Sequence, residues 1–226
     1  MRMRWILLLL MSTTFLFAQQ TETRNVRSFK GVKASAGIDV YLKKGNSESV
    51  RVEVSGTDVK NVITEVSGDY LKIHMAEGRY NRSRTVKVYV TYIELSKLSV
   101  SSAASIYGEG AIRTRSMSIS ASSAGSVEIN IDTERLDVGV SSAGEVELTG
   151  KAKIANLEAS SAGEIDAYDL EAEEVTAGAS SAGSIRVSVT QKIDARASSG
   201  ADIRYRGSPM KTNTNSSSGG SVRKSS

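Results

Sequence analysis

The stretch SSAGEVELTG, residues 141–150, decides the fold. Nineteen residues earlier the chain reads SSAGSVEINI, from Ser122, and nineteen later SSAGEIDAYD, from Ser160. Ser-Ser pairs begin at Ser101, Ser122, Ser141, Ser160, Ser180, Ser198 and Ser217, in steps of 18 to 21 residues. A constant period of this size is the mark of a repeat architecture. The flanks repeat as well. Leu98 and Val100, Ile119 and Ala121, Val138 and Val140, and Leu157 and Ala159 lead into their pairs. Ile106, Val127, Val146, Ile165, Ile185 and Ile203 follow at a fixed offset, with Ile129, Leu148, Ala167 and Val187 two residues further on. Polar residues alternate between them, which is the period of a strand with one buried face.

No helical spacing runs through these segments, so helical repeats are excluded. The leucine-rich pattern with its recurring Asn is missing, and the apolar spacing is too irregular for a six-residue solenoid. A propeller blade needs about 40 residues. What remains is an all-β fold, a right-handed parallel β-helix (solenoid) with coils of about 19 residues. Ser141, Ser142, Ala143 and Gly144 then form a structural corner that stacks on itself once per coil, about 4.8 Å apart. Only small side chains are expected to fit there, and Gly144 is expected to supply the positive φ of the bend. On this reading Ala143→Leu overpacks the corner.

Before residue 96 the register is looser. Residues 37–42, 50–54, 70–73 and 86–90 alternate like strands, and Gly45-Asn46, Ser55-Gly56 and Ser67-Gly68-Asp69 read as turns. Ser35-Ala36-Gly37-Ile38 echoes the corner. Four divisions follow: a signal peptide over 1–18, a β-rich N-terminal head over 19–95, solenoid repeats over 96–222 and a frayed tail over 223–226. The leader is read from Arg2 and Arg4, the short apolar run Trp5 to Met11, and Ala18. Ser12, Thr13 and Thr14 interrupt that run, which a membrane span does not tolerate. The chain has no cysteine, so neither a disulfide nor a lipoprotein anchor can form.

An exported β-rich head with a Gly-Ile-Asp segment at 37–39, the stretch GDYLKI at 68–73, and tandem SSAG coils resembles the bacterial putative auto-transporter adhesin, head GIN domain family. The resemblance covers roughly residues 28 to 222 and is most specific in the SSAG reiteration. It implies a right-handed β-helix and an exported location, and supplies no catalytic residues.

The chemistry is sparse. The net charge is +4, and Arg2 and Arg4 leave with the leader, which is too weak and scattered for nucleic acid. His74 is the only histidine, and no phosphate loop, zinc spacing or nucleophile elbow is present. One outward column is more informative. Six residues after each first Ser stand Tyr107, Glu128, Glu147, Asp166, Arg186, Arg204 and Arg223; two residues before these stand Ser105, Ser126, Glu145, Glu164, Ser184, Asp202 and Ser221. Glu145, Glu147, Glu164 and Asp166 should form one acidic patch continued by Arg186 and Arg204. Stacked carboxylates repel and call for an arginine or a cation such as Ca²⁺. No other cofactor is suggested.

The expected function is therefore an exported, non-enzymatic adhesin presenting an extended face to a glycan or a surface protein, in the periplasm, on the outer surface or secreted. The alternative is a polysaccharide-acting β-helix enzyme using the acidic and arginine columns. The near-constant coil length leaves no loop to wall a cleft, which favours binding. No second apolar run marks a transmembrane segment in the mature chain. Mass measurement of exported protein is expected to give a chain starting at Gln19, and recovery of the full-length chain in a membrane fraction would overturn the leader.

Overall fold

The computed structural model describes residues 20–80 and 83–225. The expected signal peptide lies outside the described residues. Among the described residues, apart from one single-turn 3-10 helix, Val59–Asn61, the regular structure is all strand. The first strands are β1 (Gln20–Arg24), β2 (Gly31–Ala34), β3 (Asp39–Lys44), β4 (Ser49–Ser55), β5 (Val62–Ser67), β6 (Tyr70–Met75), β7 (Thr85–Tyr92) and β8 (Lys97–Val100). Five long strands follow: β9 (Ser105–Ala121), β10 (Ser126–Val140), β11 (Glu145–Ala159), β12 (Glu164–Ala179) and β13 (Ser184–Ala197). The chain closes with β14 (Asp202–Arg206), β15 (Lys211–Ser216) and β16 (Ser221–Lys224).

Each long strand pairs in parallel with the next repeat. Each is one whole coil, bent in the middle. Its first half lies on one face, in the order β1-β4-β7-β3-β9-β10-β11-β12-β13-β14-β16; its second half continues the ladder β5-β6-β2-β8 on the opposite face, ending in β15. The inward phase slips at the bend. In β11 the buried residues are Val146, Leu148 and Ala152, then Ala155, Leu157 and Ala159. The slip keeps the apolar side inward after the chain has turned. The result is one continuous core of small aliphatics, from Phe29 to Tyr205. The one buried polar residue among those described, Thr133, sits at this bend, with Oγ1 3.1 Å from the carbonyls of both Arg115 and Arg135.

The corner is built differently from expectation. Ser142 (φ 51°) and Ala143 (φ 57°) hold the left-handed conformation, and the Gly144 N–H donates to the Ser141 carbonyl at 2.9 Å. This is a turn of the I′ class, which needs positive φ at both central residues. Gly144 is needed for a different reason. A Cβ there would lie 2.8 Å from the Ala121 carbonyl oxygen and 2.9 Å from its carbon, so the preceding coil's backbone fills the space. Ala143 is exposed. The overpacking expected of Ala143→Leu is thus corrected: its side chain points to solvent, and the tight position is Gly144.

Left-handed φ costs an alanine about 1–2 kcal/mol. The turn repeats at Ser123/Ala124, Ser161/Ala162 and Ser181/Ala182. It is held by the stack, because the Ala143 N–H donates to the Ser161 carbonyl at 3.1 Å and its counterparts do likewise. Ala143→Gly is therefore expected to stabilise the protein by about 0.5–1 kcal/mol, relief of strain outweighing the added freedom of the unfolded chain. Denaturant midpoints check this, and a lower midpoint would show that the turn is unstrained.

The two ends close by different means. At the N-terminal end β4 pairs antiparallel with β7, β1 with β4, and β5 with β6, so hairpins cover the first coil. In the last coil Thr212, Thr214 and Ser216 replace Ile193, Ala195 and Ala197 at the inward positions, giving the core a polar end. Arg223 pairs with Arg204 and Lys224 with Tyr205, and the Ser225 N–H reaches the Tyr205 carbonyl. Over residues 223–225, the described part of the expected frayed tail, ladder bonds hold the chain. No helix among the described residues is long and apolar enough to cross a membrane.

Candidate functional site

Register places the outward column in one line along the first face. Tyr107 pairs with Glu128, Glu128 with Glu147, Glu147 with Asp166, Asp166 with Arg186, Arg186 with Arg204, and Arg204 with Arg223. The companion column runs through Ser126, Glu145, Glu164, Ser184, Asp202 and Ser221. All six residues singled out in the sequence, Glu145, Glu147, Glu164, Asp166, Arg186 and Arg204, therefore share one face on four successive coils.

The column extends beyond Tyr107 into the head. Tyr107 pairs with Tyr41, Tyr41 with Tyr89, and Tyr89 with Arg51. The rings of Tyr41 and Tyr89 stack at 5.1 Å, those of Tyr41 and Tyr107 at 5.3 Å, and the Arg51 guanidinium lies 4.1 Å from the Tyr89 ring centre. Ring faces meet one another, so the ladder turns its phenol edges outward. Each such pair contributes about 0.5–1.5 kcal/mol. Burial inside the stack pushes the Tyr41 phenol pKa up. Tyr41 had a readable signal, because it stands six residues after Ser35 just as Tyr107 stands six after Ser101. Tyr89 had none, since the chain fills its coil out of order.

The charges fall in blocks, three acids and then three arginines. Two like charges one coil apart repel by about 0.9 kcal/mol in water. The bend between the two faces shows the opposite pattern. There Arg113, Asp132, Lys151 and Glu171 alternate in register, with Arg113–Asp132 at 3.7 Å and Lys151–Glu171 at 3.5 Å. Alternation neutralises a ladder within the chain; blocks leave charge over. Arg186 bridges Glu164 and Asp166 at the block boundary. Arg204 and Arg223 share the carboxylate of Asp202, at 2.7 and 3.6 Å. Glu128, Glu145 and Glu147 form no salt bridge among the described residues.

The Ca²⁺ reading does not fit this arrangement. Among the described residues no three acidic, histidine or cysteine side chains are grouped so as to hold a metal ion. The carboxylates stand side by side along the ladder rather than converging, and Arg186 already occupies two of them. His74 lies on β6, on the opposite face, with Nδ1 2.9 Å from the Met75 carbonyl.

That opposite face holds one perturbed acid. Glu158 stands in register between Gly139 and Gly178, and its carboxylate covers Gly178 where a Cβ would sit. Burial raises its pKa above the usual carboxylate range. The folded protein therefore keeps this proton at pH values where the unfolded chain has lost it, and the protonated group's contribution fades as pH rises through the folded pKa. Glu158→Gln is expected to raise the melting temperature at neutral pH and to leave it unchanged well below the carboxylate range. A pH-independent difference would show that shape, not charge, decides the effect.

Solved structures share this fold. A putative adhesin from Bacteroides fragilis superposes with a TM-score of 0.85 at 22% identity, over 92% of this chain and 97% of that one. A protein from Parabacteroides distasonis titled a putative lipid binding protein gives 0.72 at 21%, over 92% and 97%. A putative adhesin from Parabacteroides merdae gives 0.69 at 17%, over 92% and 96%. At such identities the likeness concerns fold. No curated protein matches the chain. The model of one family matches residues 28–209, and with it the stacked corners and the head have their place: the chain belongs to the family described as putative auto-transporter adhesin, head GIN domain.

Proposed function

We propose that the chain is an exported, non-enzymatic adhesin-like solenoid whose first face, from Tyr89 to Arg223, meets a glycan or protein partner. Membership of an adhesin-named family supports the role, and the N-terminal leader pattern supports export. One observation carries the choice of face. The chain alternates charge at the bend, where neutrality is reached internally, and blocks it along the column of Glu147, Asp166, Arg186 and Arg204. A like-charge ladder is unfavourable to the fold alone, so a partner of matching charge accounts for it. The tyrosine ladder adds hydroxyl edges beside the acidic block. Glu145 and Glu164 flank the column on the same side. A rigid parallel ladder suits binding over a long, flat contact.

The test is a glycan array and whole-cell capture with the mature protein. Glu145→Gln/Glu147→Gln and Arg204→Gln are expected to weaken capture by about tenfold or more. Lys153→Gln, at the bend, serves as the control and should bind as wild type. Equal capture by all three variants would remove this face from the function.

A further inference from the structure

We infer that the partner of this face is a second copy of the same chain, seated face to face with its coils running in the opposite order. The inference rests on the first face being the binding face. Its basis is the order of charges in the column: Glu128, Glu147, Asp166, then Arg186, Arg204, Arg223. A two-fold axis parallel to the strands, between Asp166 and Arg186, reverses coil order and turns the face toward itself. Asp166 then meets Arg186 of the mate, Glu147 meets Arg204, and Glu128 meets Arg223. The two-fold makes each meeting twice, as an isologous interface requires.

Blocks specify this register where alternation could not. An alternating column would match again after every slide of two coils. Here a slide of one coil sets Asp166 against Asp166 and leaves Arg223 opposite Tyr107. Along the column itself, the charges left over within one chain are also those that would pair across the interface. The centre is neutralised by Arg186 with Glu164 and Asp166. Outside it, Glu128 and Glu147 lack a cation and Arg204 and Arg223 share one carboxylate. The flanking column brings Glu145 toward Asp202, whose two oxygens both face arginines of its own chain. The charged column is about 24 Å long at one coil per 4.8 Å, so the contact is small, electrostatic and sensitive to salt.

Sedimentation of the mature chain tests this. Wild type is expected to dimerise at low salt and dissociate at high salt. Glu147→Arg and Arg204→Glu should each weaken self-association by about tenfold or more. Mixing the two variants should restore a heterodimer, because each reversal then faces its complement and the second Glu147–Arg204 contact is native. Such recovery also shows that neither variant is misfolded. A wild type that stays monomeric at every salt, a dimer indifferent to both reversals, or no recovery on mixing would overturn the inference. If wild type is monomeric while the reversals still abolish capture of glycan or cells, self-pairing fails and the proposed function stands. If they change neither association nor capture, both fail.

Discussion

Gly144→Val is expected to lower the stability of the protein by about 3 kcal/mol or more. The new Cβ would meet the Ala121 carbonyl at 2.8 Å, and backbone cannot swing aside as a side chain can. The same carbonyl accepts the Ser141 N–H at 3.0 Å, so moving it also costs a ladder bond. The β-branch adds atoms to a position with no free volume. Gly144→Ala should cost distinctly less, since Ala104 and Ala201 occupy this position in other coils and are buried there. The same crowding recurs at Gly163 and Gly183, whose Cβ atoms would lie 2.8 and 2.6 Å from carbonyl oxygens of the coil before. Denaturant unfolding of Gly144→Val, Gly144→Ala and Ala143→Gly separates the terms. If Gly144→Val unfolds with the midpoint of wild type, the coils are not in contact at this corner.

Leu157→Ala is expected to cost about 2–5 kcal/mol, in the upper half of that range. Leu157 is fully buried and stacks between Val138 and Ala177 in register. Its coil neighbours Ala155 and Ala159 are small, so little side-chain volume is at hand to fill the hole. Because each coil touches only its neighbours, the loss should unfold the central coils first. Ala177→Leu in the same background should recover part of the loss, whereas alone it overpacks. A cost below about 1 kcal/mol would show that the core is loosely filled.

The sequence by itself determined the solenoid, its period and the register of the first-face column from Tyr107 onward. It could do so because the repeat is local. The corner tetrapeptide marks each coil, and the inward aliphatic five residues after the first Ser fixes which side chains point out. A column of outward residues then follows by counting. The identity of the strained corner residues was not legible. SSAG shows that small residues are needed, but not which of them turn left-handed and which are pressed against the neighbouring coil. That depends on where the coil above sits, and it assigned positive φ to Ser142 and Ala143 and close approach to Gly144.

The head was the larger gap. Its chain enters at β2 and β3, leaves to form β4 through β7 beneath them, and returns to β8. Tyr89 thus lies beside Tyr41, 48 residues away in sequence, through the pairing of β7 with β3. Counting along the chain cannot find a neighbour that the chain reaches by going backward. The ion pairs are likewise tertiary. The sequence placed Arg186 after Asp166 in the column, but only side-chain packing decided that it spans Glu164 as well. That contact neutralises the centre of the face and leaves its two ends charged.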